Sequence, residues 1–576
     1  MYLAEIPNRN SPSTWLVRTS TRDGKKTIKK TIANVTHLPE HIREGLRTLL
    51  RGGHAITSFK DILHSKSTKH HGHVAVVLHM MKHLNIASLI APKNSRFRRL
   101  VLGMIAARVI KPASKLQTRD MLDKTSCITT INEELDLKYV DQNDLYEAMD
   151  ALAECKTKIE CKLAKRHLTE GGMVLYDVTS SYVEGDKNAF GARGYNRDRK
   201  KGKKQIVYGL MTDKERCPVS VEVFPGNTPD IKTLGAQISK LQNTFGLKHV
   251  ILVGDRGLLK QKQIQEEIIP VGLDWITGMQ KQEIREVVEQ EKTQMSLFDK
   301  QDLVEIQSDV YPDERLVLCR NPLQAAKSKK TRDDLLAKAD AKLDKIIAAT
   351  TSTPRRLKDK AKIGMRVERA LGKHKLKKFY VLDIEEGYLS YTHNAEAIQK
   401  AERLDGVYAI RSSLKQVPEQ LVSDYKRLST VERAFRVMKS ISLRVRPIYH
   451  VKSERVIAHV FLCMLAYYVE YHLRKKLAPM TFAEDNLEAK RAQRDNRVEP
   501  VKPSENAKRK AHNKKTEDDE RPKNFESIMD ELSGVCRLTG VLNVTSDEDH
   551  EVKLVDDELT PIQSQVFKLL KIKPLG

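Results

Sequence analysis

Residues 171–185 read GGMVLYDVTSSYVEG. The run Met173–Val178 is apolar apart from Asp177, and a Gly-Gly pair marks its start, so it predicts a buried strand with one carboxylate inside it. Three more strand-like runs follow, at Val207–Met211, Val219–Phe224 and Val250–Val253, and a helix-like stretch, Ile231–Leu241, separates the last two. Three strands, a helix and another strand predict a mixed sheet with a crossover connection, an α/β layer fold. Upstream, from about Leu38 to Cys161, apolar clusters such as Val74–Met81 and Leu100–Ile110 carry helical spacing. The chain start instead predicts a hairpin, Trp15–Arg18 and Thr27–Ile32 around a turn at Asp23-Gly24.

Downstream, charged helical segments (Asp333–Ala349 and 355–371) and strand pairs near 303–319 and 379–392 interrupt the pattern. A strand at Gly406–Arg411 and helices at about 417–440 and 453–474 resume it. The expected organisation is a hairpin-plus-helical region at 1–165 and one α/β domain in two parts, 166–281 and 401–480. An insertion fills 282–400, a charged flexible segment 481–526 and a short helical segment 527–576.

Lys and Arg number 102 against 76 Asp and Glu, a net charge of +26 with pI ≈ 9.5. That excess favours a polyanionic partner, while 5% aromatics argue against a surface built on base stacking. The apolar run Val456–Val469 is shorter than the ~20 residues needed to span a bilayer, and the N-terminus MYLAEIPNRN lacks a signal-peptide layout. Seven scattered cysteines without a CxxC pair predict reduced thiols and no zinc ribbon. The expectation is a soluble, cytoplasmic protein with no membrane partner.

Three carboxylates stand out. Asp177 lies inside an apolar strand, where a lone charge is costly unless paired or metal-bound. Asp255, in HVILVGDRGLL, ends another buried strand, the place where open α/β sheets put ligands; a turn or N-cap aspartate is the ordinary alternative for each. In DYKRLSTVERAFRVMKS, Tyr425, Glu432 and Lys439 are two helical turns apart and share a face, with Arg436 one turn beyond Glu432. Val431, Phe435 and Met438 form an adjacent apolar stripe that can dock this helix on the sheet. Together the three acids can hold two Mg²⁺ ions and the neighbouring cations can grip a phosphodiester.

LYDVTSSYVEG, GNTPDIKTL, VILVGDRGLL and YKRLSTVERAFRVMKS resemble the catalytic blocks of bacterial insertion-sequence DDE transposases, nearest to the insertion sequence four class. The resemblance covers roughly residues 171–475. It implies an RNase H-like catalytic domain that cuts double-stranded DNA at transposon ends and joins the 3′-hydroxyls to target DNA. Asp177, Asp255 and Glu432 would then be the catalytic metal ligands, for Mg²⁺ with Mn²⁺ as substitute. Tyr425 and Lys439 would contact phosphates near the cut end, and a homodimer would act in the synaptic complex, in the bacterial cytoplasm at the nucleoid. The family's third block carries an arginine where this chain has Leu428, so Arg427 and Arg436 are the candidates for that contact. The competing functions are another RNase H-like DNA nuclease and a basic DNA-binding protein without catalysis.

Further features fall around this set. The segment 193–204, RGYNRDRKKGKK, predicts a phosphate-gripping loop through Arg193, Arg197, Arg199 and Lys200. Asp230, before the Ile231 helix, reads as an N-cap competing weakly with Asp255, and Trp275 as a core strand residue. Six histidines crowd residues 64–83, and His79 and His83 share a helix face; without a Glu or Cys at ligand spacing they are not assigned a metal.

Overall fold

The computed structural model describes residues 1–53, 63–126, 128–290, 302–352, 356–372, 375–482, 484, 504–516, 520–542, 550–555 and 558–573. At the start, β1 (Tyr2–Ile6), β2 (Thr14–Asp23) and β3 (Lys26–Asn34) form an antiparallel sheet, tighter and longer than the expected hairpin, with Gly24 at φ 58° in the turn. Helices then dominate to His167, apart from β4 (Leu63–His70).

The central sheet has eight strands. Its first five are β5 (Met173–Tyr182), β6 (Gln205–Asp213), β7 (Pro218–Pro225), β8 (Ile251–Val253) and β9 (Asp274–Gly278). They lie in the order β7-β6-β5-β8-β9, with β5, β6 and β7 antiparallel and β5, β8 and β9 parallel. This is the RNase H-like arrangement. β10 (Leu303–Ile306) and β11 (Arg315–Arg320) extend the same sheet through β14 (Val407–Ser412), which pairs with β9.

The insertion therefore begins later than expected. Its separate part is the helices Pro322–Thr351 and Lys360–Leu371 with the hairpin β12 (Tyr380–Glu385) and β13 (Tyr388–His393), packed around Leu343, Ile363, Leu371 and Leu389. The chain end is also not purely helical. β15 (Cys536–Leu542) and β16 (His550–Val555) pair with β4, which ties the C-terminus to the N-terminal region. Half of the expected flexible segment lies outside the described residues; within it, Glu505–His512 is helical and Lys510 is buried, donating to Ala478 O (3.2 Å).

Residues 1–165 do not form a domain apart. Val77, Ile105 and Leu152 from the N-terminal helices share one continuous core with Leu175 and Leu210 of the sheet and Phe461 of the Ser453–Lys476 helix. Buried Glu160 of the Gln142–His167 helix clamps β7, accepting from Ser220 Oγ (2.9 Å) and Val221 N (3.0 Å) and pairing with Lys156 and Lys240. Such a buried acid is tolerable because its lone pairs are satisfied. The Ser453–Lys476 helix is long and apolar enough to cross a membrane, which its sequence run alone did not suggest. Yet 83% of its most apolar stretch is buried in the protein, as a core helix requires. The six-histidine stretch gathers no ligand set; among the described residues the compact grouping of metal-binding types is His167, Cys217 and His472.

Candidate active site

Sheet register brings the first two carboxylates together. β5 and β8 run parallel with Leu175 opposite Val253; Asp177 stands two residues further along β5, and Asp255 two residues past the end of β8. Adjacent strands lie about 4.8 Å apart, and both side chains line one cavity. Asp177 accepts from Val178 N (2.7 Å). Asp255 leaves the strand in a turn and its Oδ1 accepts from Gly257 N (3.0 Å) and Leu258 N (2.8 Å). The ordinary reading of Asp255 as a turn aspartate is thus also true, and the turn is what holds it at the strand end.

Glu432 arrives on the Ser429–Arg436 helix. Val431, Ala434, Phe435 and Met438 are buried, and the Phe435 ring meets Tyr208 of β6 edge-on at 5.8 Å. That stripe seats the helix on the sheet and turns Glu432 into a cavity of about 620 Å³, which Asp177 and Asp255 also line. Asp177 is pushed up to about 7, mainly by burial and further by Asp255 and Glu432. None of the three acids is ion-paired among the described residues.

Cations surround them. Arg197, Lys426, Arg436, Lys439 and Arg446 all line the cavity. Lys439 is where the helical spacing predicted, but it is no solvated lysine: it is buried and donates to Asp198 Oδ1 (3.1 Å). Asp198, buried as a side chain, also pairs with Arg446 and accepts from Tyr182 N (3.1 Å). Tyr425 lines the cavity, its hydroxyl pushed up to about 12 by burial and then by Asp255. A Cβ on Gly278 of β9 would collide with that hydroxyl, so glycine there makes room for Tyr425.

Some expected residues sit elsewhere. Arg427 does not line the cavity; its guanidinium turns to Asp424 Oδ1 (3.3 Å) and Lys214 O (3.2 Å), and its neighbour Lys426 faces in. Leu428 is buried at the break between two helices. Arg193, Arg199 and Lys200 are exposed on the basic loop outside the cavity, whereas Arg197 enters it and pairs with Asp230. Asp230 opens a 3₁₀ turn and holds Arg197; it is not among the cavity's acids. Trp275 is buried in β9. Asp198, Arg446 and Lys426 were missed. The signal for Asp198 was its place as the one acid among seven cations in residues 193–204.

The acids fit divalent cations. Hard carboxylate oxygens suit Mg²⁺, and the burial and neighbouring acids that raise Asp177 are what a bound cation offsets. Asp177, Asp255 and Glu432 line one cavity and would be the residues to hold such ions.

A pH dependence follows from Asp177. Its carboxyl is pushed up to about 7, well above the ordinary aspartate range, so the folded state keeps a proton that the unfolded chain releases. Stability from that group is present at low pH and is lost as pH rises from about 4 to 7. In EDTA, the stability of Asp177→Asn relative to wild type is expected to grow across that window, measured by urea unfolding. A constant difference would show that Asp177 is not crowded.

The transposase DDE domain family matches residues 170–469, more than half of the chain. No curated protein matches it. Among solved structures, the cryo-EM structure of the piggyBac transposase synaptic complex with hairpin DNA has 10% sequence identity and a TM-score of 0.33, covering 69% of this chain and 72% of that one. A TM-score that low decides nothing about this site.

Proposed function

Because this chain belongs to the transposase DDE-domain family, and is a DNA transposase, we propose that its cavity cuts DNA at transposon ends and joins the freed 3′-hydroxyls to target DNA. The observation that carries the assignment is the meeting of three unpaired acids, from segments as far apart as residues 177 and 432, inside a rim of cations. Asp177, Asp255 and Glu432 would hold two divalent cations, Mg²⁺ with Mn²⁺ as substitute. Bound there, the ions would neutralise charge on the attacking and leaving oxygens.

The chain's own residues bind and position the DNA. Lys439 and Arg446, both fixed by Asp198, present donors to phosphate oxygens, and Tyr425, Lys426, Arg436 and Arg197 bound the groove. Arg193, Arg199 and Lys200 lie where flanking phosphates would pass. End recognition is assigned to residues 1–165, where β3 is exposed throughout and carries Lys26, Lys29 and Lys30. Joining two ends to one target requires two such cavities, so a homodimer on double-stranded DNA is the proposed working unit.

The test is a nicking and joining assay on duplex carrying the terminal repeats, with Mg²⁺, Mn²⁺ or EDTA. Cation-dependent nicking followed by joining supports the proposal. Nicking without joining would identify another nuclease of this fold, and binding without nicking an inactive DNA-binding protein.

Lys439 gives a sharper expectation. Lys439→Ala is expected to lower joining more than Mg²⁺ affinity and to weaken binding of pre-cleaved ends about tenfold, while Lys439→Arg recovers part. A change under about twofold, as at an ordinary surface site, would leave Lys439 as Asp198's counter-ion alone. End binding and joining across a salt series decide between the two.

A further inference from the structure

A second cavity, about 460 Å³, lies beside the catalytic one and shares Arg446 with it. It forms where the Arg96–Ile110 and Lys115–Leu122 helices meet the 444–450 segment and the Ser453–Lys476 helix. Arg108, Lys115, Arg444, Arg446, His450 and His459 line it, and among the described residues no carboxylate does. Lys115 is 7% exposed and Arg108 5%. Among the described residues, Arg108 donates to a neutral group, Leu443 O (3.3 Å). Asp150, whose charge reaches His450, is engaged by Arg455 (2.9 Å).

Uncompensated buried cations are costly, and the fold adds to the cost. Lys115 is the first residue of its helix, where unpaired N–H groups and the helix dipole already make the field positive. Burial and Arg108 pull the Lys115 amine down to about 7. His459 donates through Nε2 to Val445 O (2.9 Å), which leaves it no acid partner either. An anion is the missing component, and Arg446 joins this cavity to the place where the reacting phosphate would sit.

We propose that this cavity takes a backbone phosphate of the DNA strand held in the catalytic cavity, with Lys115 and Arg108 as its counter-charges and Arg446 between the two phosphates. The assignment rests on the proposed DNA-cutting role of the neighbouring site. A free inorganic phosphate offers the same chemistry, and the experiment separates the two sources.

Full-length protein is titrated with terminal-repeat duplex in EDTA over a salt series, comparing wild type with Lys115→Met, a neutral chain of similar length. The plot of log K against log salt is expected to flatten by about 0.9, the value for one phosphate contact, with affinity about tenfold lower at low salt. The free variant should unfold at the same or a higher urea concentration, because a buried unpaired charge is gone. One methylphosphonate near the cut should reproduce the loss in wild type and add nothing to Lys115→Met. An unchanged slope and affinity with full wild-type binding would overturn this inference alone, as would a variant that merely unfolds earlier. Lys115-dependent stabilisation by inorganic phosphate with an unchanged DNA slope would also overturn it, in favour of a free anion. Failure of wild type to bind DNA would overturn this inference and the catalytic assignment together.

Discussion

Asp177→Asn is expected to lower cation-dependent nicking by at least about a thousandfold, about 4 kcal/mol of barrier, while the free protein unfolds no earlier than wild type. The two halves have one cause. Asp177 sits inside β5 and shares one cavity with Asp255 and Glu432, and burial with two neighbouring acids pushes it up to about 7. Asparagine keeps the shape and removes the charge that a cation would need. Asp255→Asn and Glu432→Gln are expected to act alike; Asp255→Ala would also loosen the turn through Gly257 N and Leu258 N, by about 1 kcal/mol. Nicking assays with circular-dichroism unfolding measure both halves. Wild-type nicking in any one variant would remove that residue from the triad.

Asp198→Ala is expected to be damaging in a different way, costing about 3 kcal/mol of stability in addition to activity. Removing one partner of a buried ion pair leaves the other uncompensated, and here two are left, Lys439 and Arg446. Tyr182 N loses its acceptor as well. The cations that would grip phosphate would then repel each other, so end binding should fall with stability. Asp198→Asn keeps an acceptor for Tyr182 N and is expected to lose less. Urea midpoints and end affinities for the two variants, measured together, test this; an unchanged midpoint in the alanine variant would mean that the cations find other partners.

Local pattern was enough for a large part of this molecule. β5 to β9 are short apolar runs between turns, and their alternation with a helix admits few topologies. The spacing of Tyr425, Glu432 and Lys439 requires only that their segment be helical, and the apolar stripe at Val431, Phe435 and Met438 requires that it dock. Asp177 was conspicuous because a charge in an apolar strand needs a reason.

What sequence did not determine depends on contacts between distant segments. Arg427 and Lys426 are adjacent on one helix, and only the docking of that helix decides which of the two faces the cavity. Asp198 was one acid in a loop read as phosphate-gripping, until the fold laid it against Lys439 and Arg446. β10 and β11 resembled an insertion's own strands because edge pairing with β14 leaves no local mark. Lys115 and His450, 335 residues apart, share a cavity because the N-terminal helices and the catalytic sheet have one core. Propensity and periodicity act over a few residues, so they marked most of the catalytic sheet's strands and made three acids conspicuous; the partners of each charge were decided by tertiary packing, since desolvation and pairing depend on what lies across the cavity.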